Sequence, residues 1–278
     1  MDLHHIERIA AFDDHGQGGN PAGVWIGAML PPVAEMARIA REVGFSETAF
    51  AAPEGEGWRV RYFSPASEVP FCGHATIALG AALARAHGDG RYALTLNAAA
   101  ITVEGRHDGA RLQAALQSPP TRSAPAPAVL VDEALDLFGY RRADLDARMP
   151  PALIHAGADH LLLALTSRAA LRAMDYALEA GRSLMHKHGL VTIVLVWAET
   201  DGLFHTRNAF ASGGVLEDPA TGAATAALAG YLRDLGWPHG GRIEVVQGED
   251  MGMRSLLSAS IGDEAGGSIR VSGTARMM

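Results

Sequence analysis

Short runs of apolar and β-branched residues alternate along this chain with longer Ala- and Leu-rich stretches, a rhythm that predicts strands interleaved with helices. Ala22-Gly23-Val24-Trp25-Ile26 reads as a strand. Pro31-Pro32 then opens a helix through about Val43, with proline at a first-turn position where its missing N–H costs nothing. Trp58 to Phe63 alternates as a half-buried strand does. Gly73 to Ala86 is apolar on nearly every side, which predicts a helix buried all round. Strands are expected near 92–97, 100–104 and 110–116.

Ser118 to Pro127 contains Pro119, Pro120, Pro125 and Pro127, and this density predicts a linker. Beyond it the pattern predicts a helix at 131–138, strands near 151–156 and 160–165, and a helical stretch through about His186. Leu190 to Trp197 reads as a central strand. A second mostly apolar helix spans about 220–235, and strands near 242–247, 255–261 and 268–272 follow. The division places one domain at 1–118 and another at 128–267, leaving open whether the last strand, near 268–278, returns to the first.

The two apolar helices resemble each other. Set in register, Cys72 to Leu83 and Thr221 to Leu232 share Gly, Ala, Thr, Ala, Leu and Leu. Each follows a β-rich stretch, once in each half. The expected picture is two similar domains, each a curved sheet wrapped around a central helix. A helix N-terminus presents unpaired N–H groups and partial positive charge, so two such ends facing across a cleft would suit a carboxylate.

Composition narrows the partners. Of 278 residues, 48% are hydrophobic and 19% charged, as in ordinary globular proteins. Lys plus Arg is 23 against 31 Asp plus Glu, a net charge of −8 with no basic run, which argues against nucleic acid and anionic membranes as partners. The single cysteine, Cys72, excludes an internal disulfide framework and a thiolate metal cluster. The first eight residues are charged too early for a signal peptide and no long apolar span occurs, so a cytoplasmic location is expected.

Four segments carry the candidate chemistry: Gly19-Asn20-Pro21-Ala22-Gly23-Val24, Gly44-Phe45-Ser46-Glu47-Thr48-Ala49-Phe50, Arg61-Tyr62-Phe63-Ser64-Pro65 leading through Glu68 to Cys72-Gly73-His74-Ala75-Thr76, and Gly214 to Gly222 with Glu217-Asp218-Pro219-Ala220-Thr221. Together, in this order, they resemble the motif set of the PhzF-like phenazine-biosynthesis family over nearly the whole chain. The resemblance implies an α/β (α+β) fold of the diaminopimelate epimerase type, with two pseudo-symmetric domains, each a mostly antiparallel sheet around a helix, and the active site between them. It further implies a homodimer, no metal or organic cofactor, and isomerisation of a small carboxylate-bearing substrate.

Carried over, the resemblance makes Glu47 the catalytic proton shuttle, a role open to a carboxylate whose partial burial lets it act in both protonation states. It makes Gly73, His74, Asp218, Gly222 and the residue at 223 substrate-binding groups. Plainer readings exist for each: a solvated or capping Glu47, a core His74 satisfied by backbone, and Asp218 as a helix N-cap ahead of Pro219. The family commonly places serine where this chain has Ala223, which falls opposite His74 in the repeat. A hydrogen bond to a charged group is worth roughly 1.5–3 kcal/mol, enough to alter substrate choice.

Cys72 aligns with Thr221, so a Cys72-dependent epimerase or dehydratase of an amino or imino acid is a competing expectation. A buried structural cysteine is the plain alternative. A non-catalytic ligand-binding dimer is a third reading. His186 and His188 could chelate but lack a third ligand at helical spacing, and His4-His5 is a weak signal. No nucleotide-binding or H-E-x-x-H motif is present.

Overall fold

The computed structural model describes residues 6–97 and 99–278, so His4 and His5 lie outside the described residues. The chain divides into two compact units: one runs through Gln117 and takes up Ser272–Met278, the other is Ser118–Val271.

In the first unit β1 (Glu7–Ala11) is antiparallel to β2 (Asn20–Ile26), which is parallel to β3 (Glu47–Glu54) through the crossover helix α1 (Val33–Val43). β3 is antiparallel to β4 (Gly57–Phe63), and β4 to the two-residue β5 (Glu68–Val69). α2 (Gly73–His87) leads to β6 (Gly90–Thr95), parallel to β4 and antiparallel to β7 (Ala100–Asp108), which pairs with β8 (Arg111–Pro120).

The second unit opens with β9 (Arg122–Pro125) and α3 (Ala128–Phe138), and then repeats the same order. β10 (Ala152–His155) is antiparallel to β11 (Asp159–Ala164). β11 is parallel to β12 (Thr192–Ala198) through α4 (Arg168–Arg172) and α5 (Leu178–His188). β12 is antiparallel to β13 (Leu203–Ala209), and β13 to the two-residue β14 (Glu217–Asp218). After α6 (Gly222–Leu235), β15 (Arg242–Gln247) lies parallel to β13 and antiparallel to β16 (Ser255–Ser260). β17 (Ser268–Met277) spans the unit boundary and pairs with β1 through Ala275 to Met277.

Sequence explains the helices. α1 buries Met36, Ile39 and Ala40, one stripe at helical spacing, against Trp25, Phe50 and Phe63. Gly44, at φ 74°, ends it in the left-handed conformation that a side chain disfavours. The prolines precede this helix: Pro32 is its N-cap at ψ 147°, extended, and Val33 begins it. α2 is buried continuously from Gly73 to Ala84 against β1, β2, β3 and β7, and α6 from Gly222 to Leu232 against β9, β10, β11 and β16. Small side chains permit that enclosure. A Cβ at Gly105 on β7 would sit 2.1 Å from the Gly80 carbonyl oxygen in α2, and one at Gly230 in α6 would sit 2.6 Å from Thr121 Cβ.

Several expectations need correction. The stretch expected as a linker is strand: β8 continues through Pro120, and β9 pairs Arg122 to Pro125 with His155 to Ala152. Pro119, Pro120 and Pro125 sit at strand ends, where a missing donor costs least, and Pro127 is the N-cap of α3. β1, β3 and β13 were not anticipated; β3 is buried from Glu47 through Ala52, so no alternation marks it. Among the described residues no helix is long and apolar enough to cross a membrane.

Candidate active site

In the first unit, the turn after Gly44 delivers Ser46 and then Glu47, the first residue of β3, paired in register with Ala22 of β2. Glu47 is 7% exposed. β5 leads to Cys72, extended at φ −142° and ψ 117°, the N-cap of α2 without a side-chain capping bond. Its carbonyl accepts the Thr76 N–H at 3.0 Å and the Thr76 hydroxyl at 2.6 Å. With that proton committed, the Tyr62 hydroxyl, 2.6 Å from Thr76 Oγ1, is the donor to Thr76. Burial pushes the Tyr62 phenol well above its ordinary range.

This scaffold holds His74 in the first turn. Its Nδ1 lies 3.4 Å from Cys72 Sγ, and its Nε2 lies 3.3 Å from Ser46 Oγ and 3.5 Å from Glu47 Oε2. Cys72, His74 and Glu47 are all buried. Their donor atoms lie within 4.8 Å of one another, a set that could also accept a divalent transition-metal ion. His74 therefore finds its partners among side chains, which sets aside the backbone-satisfied reading. Glu47 is neither solvated nor a helix cap.

The second unit builds its helix start differently. β14 presents Asp218, buried at 5% exposure, three residues before the N-cap Thr221. Asp218 is therefore a strand residue and not the N-cap expected from Pro219; α6 begins only at Gly222. Thr221 Oγ1 donates to Asp218 Oδ2 at 2.5 Å. Gln247, at the end of β15, accepts the Thr221 N–H at 3.1 Å and donates to the Asp218 carbonyl at 2.7 Å and to Thr221 Oγ1 at 3.0 Å. Ala223, where the first unit has His74, contributes a buried methyl group.

Both units share one element that sequence reasoning left without a role, a bidentate Arg–Glu pair beside the short strand. Arg61 pairs with Glu68, and Arg207 with Glu217. The Glu68 bond holds the Arg61 guanidinium above its usual range, and the Arg61 bond holds Glu68 below the ordinary carboxylate range. Burial works against charge on Arg207, yet its bond to Glu217 keeps it raised. Ser46, Tyr62, Thr76 and Gln247 are likewise contributions of the fold, although Ser46, Tyr62 and Thr76 stand inside the four sequence segments. His188 bonds Glu133 at 2.8 Å and His186 is exposed, so the pair forms no chelate.

The family of phenazine biosynthesis-like proteins (PhzC-PhzF) matches residues 9–278. The trans-2,3-dihydro-3-hydroxyanthranilate isomerase of Pseudomonas chlororaphis is 32% identical over 262 residues, covering 92% of this chain and 90% of that protein. A predicted epimerase from Pseudomonas aeruginosa superposes with a TM-score of 0.85 at 25% identity, over 98% of this chain and 96% of its own. A hydroxyproline epimerase from Agrobacterium vitis, at 11% identity, shares the fold with a TM-score of 0.66 over 98% of this chain and 88% of its own. The fold is thus the diaminopimelate epimerase-like one.

Proposed function

This chain belongs to the phenazine biosynthesis-like family and is a PhzF-like isomerase, and from that premise we propose that Glu47 carries a proton from one carbon to another of a small carboxylate-bearing substrate. One observation carries the reading: a carboxylate at 7% exposure stands 3.5 Å from the imidazole of His74 at the start of a buried helix. Ionised, Glu47 takes the proton; protonated, it returns it at a second position. The substrate leaves as an isomer, so the step balances without oxidant, metal or organic cofactor.

His74 orients the substrate and the Glu47 carboxyl through Nε2, while Cys72 acts on His74 Nδ1 and not on the substrate. The N···O contacts of 3.3 and 3.5 Å at Nε2 are at the long end for hydrogen bonds, as expected of groups that tighten only around a substrate. The Gly73 N–H and the positive end of α2 favour the substrate carboxylate. In the second unit, substrate contacts fall to Asp218, the Gly222 N–H and the small side chain of Ala223, with Thr221 holding Asp218. The Pseudomonas relative is named for trans-2,3-dihydro-3-hydroxyanthranilate, and a cyclic, amino-acid-like carboxylate of that kind is the substrate class assigned here. Family membership supports a homodimer, to be read from light scattering. The single buried cysteine, outside any disulfide, is in keeping with a cytoplasmic setting.

The test is proton exchange. In deuterated water, enzyme and trans-2,3-dihydro-3-hydroxyanthranilate should give product carrying solvent deuterium. Glu47→Gln should lower that exchange by about 10²–10⁴-fold while ligand binding persists. Exchange at the wild-type rate in Glu47→Gln would refute the assignment.

A further inference from the structure

The two units repeat one ion pair at one position of the fold. On β4, Arg61 meets Glu68 through Nε to Oε1 at 2.7 Å and Nη2 to Oε2 at 2.6 Å. On β13, Arg207 meets Glu217 through Nε to Oε1 at 3.1 Å and Nη2 to Oε2 at 2.5 Å. The registers agree: Glu68 stands opposite Phe63, and Glu217 opposite Ala209, each two residues past its arginine. Each glutamate sits on the two-residue strand that feeds a buried helix.

The pairs differ in what lies next to them. Each glutamate stands four residues before its helix N-cap, but Glu68 is followed by Val69 whereas Glu217 is followed by Asp218. The Arg207 and Glu217 side chains are 12% and 6% exposed, against 21% and 26% for Arg61 and Glu68. Arg207 also donates Nη1 to the carbonyls of Arg172 at 3.0 Å and Met174 at 3.2 Å. That guanidinium ties its own strand to two other segments, β14 and the chain at Arg172 to Met174.

We propose that Arg207 and Glu217 are positioning residues for Asp218. Successive side chains of a strand point to opposite faces, so pinning Glu217 on one face aims Asp218 to the other. Two ladder positions cannot hold that orientation alone, and Pro219 offers no donor to extend the ladder. A bidentate guanidinium–carboxylate pair fixes a plane as well as a distance. It thereby presents Asp218 Oδ2 to Thr221 and the Asp218 carbonyl to Gln247. The catalytic consequence rests on the substrate-binding reading of Asp218; the geometric claim does not.

A cavity of about 470 Å³, lined by Met174, Tyr176, Arg207, Leu216, Glu217 and Met251, lies against the pair and makes it chemically addressable. In Arg207→Ala, proton exchange on trans-2,3-dihydro-3-hydroxyanthranilate should show KM raised and kcat/KM lowered by about 10–100-fold, since small misplacement of a positioning group costs that much. Guanidinium ion at tens of millimolar, entering the cavity, should restore about a tenth or more of the loss. Arg61→Ala, the matched variant of the first unit, should leave KM within about threefold. A crystal structure of Arg207→Ala should show the Asp218 carboxylate turned away from Thr221. Asp218 in its original position in that structure overturns the proposal whatever the kinetics; an unchanged KM with Asp218 displaced refutes instead the substrate-binding reading of Asp218. Failure of the wild-type enzyme to exchange protons would instead sink the functional reading and leave the crystallographic test decisive.

Discussion

At the start of α2 a carboxylate, a thiol and a hydroxyl each stand 3.3–3.5 Å from a nitrogen of one imidazole; at the start of α6 a carboxylate, a carboxamide, a hydroxyl and their backbone are joined by bonds of 2.5–3.1 Å. Same helix, same short strand before it, same Arg–Glu pair beside it, yet the contents differ in kind. Imidazole and thiol exchange protons, whereas the Gln247 carboxamide and the Ala223 methyl do not. The contacts at α2 are loose enough to be completed by a bound molecule; those at α6 are already made. On the function proposed above, the repeated scaffold separates two tasks, moving a proton in the first unit and holding a fixed carboxylate in the second.

The largest expected effect tests that separation directly. His74→Asn keeps much of the volume but loses the ring, and should lower solvent-deuterium exchange by about 100-fold or more; a value within threefold of wild type would erase the chemical distinction between the two helix starts. Next in size is Gln247→Leu, which removes the carboxamide that accepts the Thr221 N–H and donates to the Asp218 carbonyl. A buried N–H that loses its acceptor costs about 1–3 kcal/mol, so urea unfolding should show a loss of that size.

A second buried histidine sharpens the contrast. His160, on β11, is fully buried with its Nδ1 2.7 Å from the Thr192 hydroxyl, and burial lowers its pKa from 6.5 to about 4. Below pH 6.5 the unfolded chain binds a proton that the folded chain refuses, so stability falls as pH drops from 6.5 toward 4. The slope from this group is at most about 1.4 kcal/mol per pH unit. His160→Gln should flatten the stability profile over that window, measured by unfolding at stepped pH. A profile identical to wild type would show that His160 does not titrate as its burial demands. The smallest effect belongs to Tyr62→Phe, which deprives Thr76 of a donor deep under α2. A loss of about 1 kcal/mol is expected, with exchange activity reduced less than in His74→Asn.

Much of this arrangement is legible along the chain because it is local. The two buried helices declare themselves by small apolar residues on every face, and their repeat announces the duplicated fold. Glu47, Cys72 and His74 each stand in a recognisable motif. What escaped notice depends on distance along the chain. Ser46 and His74 are 28 residues apart, Thr221 and Gln247 are 26 apart, and only the sheet order brings either pair together. The Pro-rich stretch after Ser118 misled for the opposite reason: local propensity spoke for a linker, and pairing with β10 made Arg122–Pro125 a strand.

Sequence alone determined the class of fold, its duplication, and the residue types available for proton transfer, since these follow from side-chain volume, periodicity and motif. Tertiary structure decided which of those groups meet. It made Asp218 a strand residue locked to Thr221 and Gln247 instead of a helix cap, and it placed the Glu47 carboxylate and the His74 ring within reach of each other. Burial and hydrogen-bond geometry arise only when distant segments close on one another, and no local pattern encodes that closure.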